Sequence, residues 1–434
     1  MKIPVLKGTR DYLPEEQELR ETIIEILKKN FRRYGYKPVE TSILDFYEFA
    51  SSKAGNEIVS EIYRLRDRGN RDLCLRYELT FKLAKLIGLN PNLRMPFKRY
   101  EIGKVFRDGP VSSIRMREFV QCDVDCVGSE SLAVDAELLA LTFDIFKELG
   151  LEVYVELNSR KFLSGLMEEC GIEKDKIDSA ILSIDKLEKY GKQSIINELK
   201  EKGLRDESIK KLFAFFDKAR SEREKNNEKK LEFFKRNLRN SLAIEGLKEI
   251  EELLRLCKVL GLKDVIFVPS LARGLAYYTG PIWEVYLKNS KQKRSIAAGG
   301  RWDNLISKML NTSRAYPASG MSFGLDVIYE VLKEKKIKLE KIKKMPVPKV
   351  LIIPINTLEK CLKIAQSLRA SGINTDISDK QLSKALDYAN KEGIEFCLII
   401  GENELKSGKL RLRNMINGKE ELLNEREVIE KLVK

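Results

Sequence analysis

Apolar positions recur at helical spacing near the start of the chain, where Leu19, Ile23, Ile26 and Leu27 fall on one face. Pro14 lies near the beginning of that segment, Glu15 and Glu16 occupy its first turn, and Gly35 follows it. Proline lacks the N–H that a first turn leaves unpaired, acids there complement the helix dipole, and glycine accepts the left-handed conformation that ends a helix. The pattern therefore predicts an amphipathic helix. Strand-like runs follow at 37–44, 72–76, 97–106 and 118–127, the last alternating as a strand with one buried face does. Helical segments are predicted at 80–89 and 131–149, and 'LEVYVEL' at 151–157 reads as a further strand. Helices mixed with hairpin-like strands, without a regular βαβ rhythm, point to an α+β fold on a largely antiparallel sheet.

Between residues 160 and 261 the pattern turns to nearly continuous helix with dense charge, as in 'DKARSEREKNNEKKLEFFKRNLRN', and reads as a helical insertion over 161–261. Strands resume at 265–268, 282–287 and 295–298, and a helix-breaking Gly-rich stretch precedes an apolar helix after Gly324. These later strands are expected to complete the first sheet, joining 1–160 and 262–332 into one domain. Residues 333–348 are basic, end in prolines and hold little core material, so they read as a linker. Beyond it, strands at 350–354, 375–377 and 396–400 alternate with helices at 358–370 and 380–391, a separate α/β domain over 349–434.

A chain of 434 residues is longer than one core usually supports, which excludes a single small binding module. Hydrophobic residues at 43% and charged residues at 34% exclude a disordered or fibrous chain. The net charge of +14 favours polyanionic partners, nucleic acid first. There is no histidine at all. Imidazole general bases, Ser-His-Asp and Cys-His nucleophiles and histidine-containing zinc sites are thereby excluded, and chemistry must run on arginine, carboxylates, hydroxyls, backbone N–H groups or a bound ion. The seven cysteines are scattered without a C-x-x-C pair, so they read as reduced and mostly buried. No apolar run approaches membrane-spanning length, and a cytoplasmic location without a membrane partner is expected.

The segment 'FRDGPVSSIRMREFVQCDVD', 106–125, puts Arg107, Arg115 and Arg117 on two strand-like runs and their loop. A hairpin brings such residues to one cleft, where arginine forks suit phosphate oxygens; a solvent-exposed basic hairpin is the other reading. In 'LRYELT', Glu78 and Thr80 share a face if the segment is extended and can hold an ammonium. In 'LARGLAYYTGPIWE', Arg273 stands among apolar residues beside Tyr277 and Tyr278. An arginine so placed either meets a carboxylate or binds an anion. Gly299 and Gly300 in 'AAGGRWDNL' allow close backbone approach to a ligand, or a tight turn.

Together and in this order, 'KGTRDYLPEE', 'YELT', the arginine hairpin, 'RGLxYYTG', 'GGRWDNL' and 'GMSFGLD' resemble the histidyl-tRNA synthetases, a class II aminoacyl-tRNA synthetase family. The resemblance covers nearly the whole chain and implies a class II antiparallel sheet flanked by helices, a helical insertion, and an anticodon-binding domain at the C-terminus. The implied activity is ATP-dependent ligation of histidine to tRNA(His) through a histidyl-adenylate, by a homodimer. By match to the family, Arg107 holds the α-phosphate, Arg115 the distal phosphates, and Arg273 acts on the α-phosphate and substrate carboxylate from the other side. Glu78, Thr80 and Gln121 hold the α-amino group, with Asp125 and Tyr278 near the imidazole and Tyr277 among the histidine-binding residues. Magnesium is implied on the ATP oxygens. The attack of a carboxylate on the α-phosphorus needs cationic stabilisation and no proton-abstracting imidazole, so a histidine-free chain can perform it. The basic helical insertion suggests phosphate contacts from Lys229, Lys230, Lys235, Arg236 and Arg239, although a solvated charged helix reads the same way.

The chain departs from the family pattern at Gly109, where motif 2 has an acid, at Ala276, where the family has aspartate, and at Ser42, where motif 1 has proline. The motif 3 arginine falls at Val327, so either Arg115 or Arg301 covers the γ-phosphate or ATP binding is weakened. The alternative activity is that of a histidine-binding paralogue regulating ATP phosphoribosyltransferase; such proteins lack the anticodon-binding domain that 349–434 resembles. The missing histidines have two readings. Either a chain that supplies histidyl-tRNA is spared dependence on its own product, or the source proteome is poor in histidine, and histidine counts across that proteome separate them.

Overall fold

The structure, a computed structural model, describes residues 3–52, 56–112, 115–221, 226–290, 293–335 and 348–433. The chain divides into two compact units at residue 338. In the first, helix Pro14–Arg33 forms as its periodicity predicts and buries Ile23, Ile26, Leu27 and Phe31. An eight-stranded sheet runs in the order Lys37–Pro38, Phe97–Phe106, Glu118–Val127, Ala318–Gly324, Ser295–Arg301, Pro281–Leu287, Val153–Ser159, Val265–Phe267. Its inner pairs are antiparallel and the outermost pair at each edge is parallel.

Because side chains alternate across a strand, register divides the sheet into two chemically different faces. One carries Cys122, Val124, Met321, Phe323, Ala297, Val285 and Trp283, all buried. Helices Pro14–Arg33 and Leu132–Glu148 close it, with Phe31 and Phe146 against Phe323 at ring distances of 5.8 and 5.9 Å. The other face carries Gln121, Asp123 and Asp125 beside Ser322, Gly320 and Ala298. All seven cysteines are free and buried. The charged stretch after residue 160 is helical from Arg160–Glu169 to Ser241–Val259 and belongs to the same unit.

The second unit is a five-stranded sheet ordered Thr375–Ile377, Val350–Pro354, Phe396–Ile400, Leu410–Asn414, Glu420–Leu423, with cores on both faces. Its first three strands are parallel and the last two antiparallel.

Several sequence expectations are corrected. The run 37–44 is not one strand. It splits into Lys37–Pro38 and Leu44–Phe46 in different sheets, because between them Glu101 accepts the Thr41 N–H at 2.9 Å and Arg76 donates to the Thr41 carbonyl at 2.9 Å. The Gly-rich stretch before Gly324 is a central strand, Ala318–Gly324. Its glycine at 320 admits a neighbour, since a Cβ there would lie 1.8 Å from Asp125 Oδ1. The strand expected at 295–298 continues to Arg301. Strands Leu410–Asn414 and Glu420–Leu423 and helix Glu425–Val433 went unrecognised. Of the expected linker, residues 336–347 lie outside the described residues.

Candidate active site

A cavity of about 1100 Å³ opens above the polar face of the large sheet. The sheet makes room for it by register, since Gly320 and Ser322 pair with Asp125 and Asp123, and Ala298 pairs with Ser322. Small residues in the middle strands thus leave a hollow beside the larger polar side chains of Glu118–Val127. Every wall comes from a different part of the chain. Glu78 and Thr80 stand at the start of helix Thr80–Leu89, Arg107 just beyond strand Phe97–Phe106, and Arg273, Tyr277 and Tyr278 on the segment before Pro281–Leu287. Arg115, Gln121 and Asp125 also line this space. Arg107 and Arg273, 166 positions apart in sequence, therefore share one cavity.

Arg107 is held in place by aromatics. Its guanidinium carbon lies 4.2 Å from the Tyr77 ring centre and 5.0 Å from that of Phe119, and Nε donates to the Tyr77 carbonyl at 3.4 Å. Stacking leaves the edge of the fork available to an anion. Arg273 meets a carboxylate, donating to Glu284, while its Nε is buried without a hydrogen-bond partner. Burial pushes the Arg273 pKa down, but Tyr278, Glu284 and Asp185 outweigh it and the group stays protonated.

The amino-acid end is acidic. Burial raises Glu78 to about 8 against the opposing charge of Arg107. Asp123 and Asp125 are also raised by burial, with Arg99 opposing. Arg99 is wholly buried beneath the site, with Nη2 at 2.7 Å from Asp125 Oδ2 and Nη1 at 3.5 Å from Glu101. Burial pushes the hydroxyls of Tyr277 and Tyr278 up, so both remain neutral donors.

Two predicted ligand residues are elsewhere. Arg301, expected near the distal phosphates, does not line the cavity. Its terminal nitrogens donate to Ser129 O at 2.9 Å, Ser131 O at 3.1 Å, Asp135 at 2.5 Å and Asp303 at 3.2 Å, so the fork is committed to the chain's own acceptors. Lys230, expected on nucleic-acid phosphate, is 4% exposed and donates to the Phe267 carbonyl at 2.8 Å. Its partners in that prediction are exposed. Lys229 is solvent-facing, Lys235 pairs with Glu251 at 2.5 Å, Arg236 with Glu232 at 3.6 Å, and Arg239 donates to the Arg236 and Leu238 carbonyls. Arg117 turns from the cavity to the Lys7 carbonyl at 3.3 Å.

Sequence reasoning missed Asp123, Arg99 and Lys308. Asp123 was legible, because Gln121, Asp123 and Asp125 alternate along a recognised strand. Arg99 and Lys308 carried no local signal. Lys308, like Arg115, lines the cavity and has no carboxylate partner among the described residues. Val327 does not line the cavity.

Comparison with known proteins follows the same outline. Residues 8–328 match the family model for histidyl-tRNA synthetase, and residues 349–434 match that of the anticodon binding domain. Histidine--tRNA ligase 1 of Bacillus cereus is 44% identical over 97% of this chain and 97% of its own length. Histidine--tRNA ligase 2 of Shouchella clausii is 40% identical over 96% and 97%. Histidyl-tRNA synthetase from Nostoc sp. PCC 7120 superimposes with a TM-score of 0.81 at 28% identity, covering 100% of this chain and 99% of that one. The fold is also shared, at a TM-score of 0.72 and 20% identity over 89% and 97%, with an ATP phosphoribosyltransferase regulatory subunit/histidyl-tRNA synthetase from Bacillus halodurans C. A full-length match at this identity, with both the catalytic and the anticodon-binding regions present, means that the chain belongs to the histidyl-tRNA synthetase family and is an aminoacyl-tRNA ligase.

Proposed function

We propose that the cavity activates histidine with ATP and passes it to tRNA(His), with the work divided among this chain's own groups as follows. The carrying observation is that Arg107 and Arg273 line one cavity together with Glu78, Gln121 and Asp125. Glu78, Thr80 and Gln121 take the α-ammonium, while Asp125, Tyr277 and Tyr278 surround the imidazole, whose N–H and N positions pair with a carboxylate and a phenol. A side chain without those groups strands buried polar atoms, which gives strong discrimination.

One carboxylate oxygen of histidine attacks the α-phosphorus, the bond to the β-phosphate oxygen breaks, and pyrophosphate leaves. Arg107 steadies the α-phosphate oxygens. Arg273, with its unpartnered Nε, faces the carboxylate and α-phosphate from the opposite side. A terminal hydroxyl of tRNA(His) then attacks the carbonyl and AMP leaves. With Arg301 committed elsewhere, Arg115 and Lys308 are the cavity cations suited to the distal phosphates. Magnesium supplies further charge neutralisation on the phosphate oxygens. Bound together with the nucleotide, the ion would be held mainly by the nucleotide and would neutralise charge there.

The molecule is a homodimer in this reading. The edge strand Leu44–Phe46 exposes Leu44 at 49% and Phe46 at 52%, with Ile43 beside it, an apolar edge that a second copy would cover. No helix among the described residues is long and apolar enough to cross a membrane, and the cytoplasm, where tRNA is charged, is the proposed location. The test of the function is ATP–pyrophosphate exchange driven by each of the twenty amino acids in turn. Exchange with histidine alone is expected; exchange driven by another amino acid, or by none, rejects the reading.

A further inference from the structure

Four buried side-chain oxygens on cavity residues have no hydrogen-bond partner among the described residues: Glu78 Oε1, Gln121 Oε1, Asp123 Oδ1 and Asp125 Oδ2. Glu78 is 4% exposed and Asp123 is 3% exposed. A buried acceptor left without a donor is costly, the more so when it is ionised. Asp125 differs, because Arg99 Nη2 lies 2.7 Å from its Oδ2.

Two cations oppose the burial of Asp123 without hydrogen-bonding it: Arg99, which is shared with Asp125 and Glu101, and Arg107, which is stacked on Tyr77 and Phe119. The cross-strand neighbour of Asp123, Glu101, is held by Arg76 at 3.0 Å and Arg99 at 3.5 Å, and Arg99 also serves Asp125. On the other side Asp123 pairs in register with Ser322 and accepts a hydrogen bond from its hydroxyl, so Oδ1 is the carboxylate oxygen left without a donor. The three acceptors with neither a hydrogen bond nor an ion pair, two of them on carboxylates, call for a cationic group with three N–H donors. An ammonium has that number.

We infer that Asp123 is a third direct acceptor for the α-ammonium of the amino-acid substrate, completing a tripod with Glu78 and Gln121. Asp123 is thus a substrate-binding residue in its own right, and Asp125 is left to the side-chain ring. This inference rests on the histidine-binding reading above, and it predicts a selectivity that reading does not contain. Loss of the Asp123 charge weakens ligands that carry the ammonium and spares those that lack it.

The test uses the full-length chain and its Asp123→Asn variant, titrated calorimetrically with two ligands. L-histidinol keeps the ammonium and the imidazole without a carboxylate; 3-(imidazol-4-yl)propanoate lacks the ammonium. Histidinol affinity is expected to fall about 10- to 100-fold in the variant, and propanoate affinity to change less than about threefold. An equal loss for both ligands would assign Asp123 a structural role and overturn the inference, as would no loss for either. Should this variant and Asp123→Ser both fail to fold by circular dichroism, the histidinol complex of the unaltered chain decides. An ammonium nitrogen within about 3.2 Å of the Asp123 carboxylate supports the tripod, and one beyond that distance overturns it. A wild-type chain that binds histidinol yet shows no histidine-driven exchange defeats the proposed function and leaves the tripod standing. A wild-type chain that binds neither ligand defeats both.

Discussion

Without substrate, Glu78 is raised to about 8 by burial, so at pH 7 it is protonated in the folded chain and ionised in the unfolded one. The folded state then holds the proton more tightly. Its contribution to stability is full below about pH 4.5 and is lost as pH rises through 8. The Glu78→Gln chain is accordingly expected to melt at least about 2 °C higher than wild type at pH 8.5 without ligand, by calorimetry. Binding reverses the preference, because an ammonium favours the ionised carboxylate. Above pH 7 free imidazole is already mostly neutral. The KM for histidine in pyrophosphate exchange should therefore fall several-fold between pH 7 and 8.5 in wild type and fall less in Glu78→Gln, where only the buried Asp123 and Asp125 remain to titrate. Arg273 supports a second prediction. Lysine cannot both pair with Glu284 and present a second planar donor, so Arg273→Lys should lower the rate of adenylate formation about 100-fold or more while weakening histidine binding less than about tenfold. Stopped-flow kinetics and calorimetry separate the two. At this scale the sequence was informative about residue type and not about partners. Arg273 was flagged by its apolar neighbours, but its pairing with Glu284 arises from the strand that begins eight residues later. Arg301 stands beside two glycines that suggested a ligand, and only the fold reveals that Asp135 claims it.

Elements carry the predictions about partners. The edge strand Leu44–Phe46 exposes an apolar Phe46, and Phe46→Glu places charge in any interface that covers it. The variant is expected to shift toward monomer in analytical ultracentrifugation, with its circular dichroism unchanged because Phe46 contributes little to the core. In the helical insertion, neutralising Lys229, Lys235, Arg236 and Arg239 together should weaken tRNA binding by about tenfold or more at 100 mM salt and flatten its salt dependence. Unchanged affinity and slope would remove the insertion from the tRNA surface. Lys230 should be left intact in that variant, since it bonds the Phe267 backbone. Helices with clear periodicity were legible from the sequence to within a residue or two, as for Thr80–Leu89, and so were the two strands of the hairpin, Phe97–Phe106 and Glu118–Val127. Ala318–Gly324 was not, because its glycines and serines carry no strand propensity. What makes it a strand is pairing on both sides, with Glu118–Val127 and Ser295–Arg301.

The two compact units have separate cores, the second built on Val350, Ile352, Leu398, Leu412 and Val428. A chain ending at residue 335 should keep histidine-dependent pyrophosphate exchange within about threefold and lose tRNA charging by about 100-fold, because adenylate chemistry uses only groups of the first unit. Retained charging would remove the second unit from tRNA selection. The chain's own lack of histidine makes a further experiment clean, since every imidazole signal in an NMR spectrum of the complex with histidine belongs to the ligand. Periodicity, charge and short motifs in the sequence determined the fold class, the helical insertion, the α/β unit and the residue types of the site. The hollow itself was decided by tertiary structure. It exists because register sets Gly320, Ser322 and Ala298 beside a row of larger polar groups, and because segments 166 residues apart bring Arg107 and Arg273 to its walls. A local pattern states which residues could bind; pairing between distant strands states which of them have acceptors and donors left over.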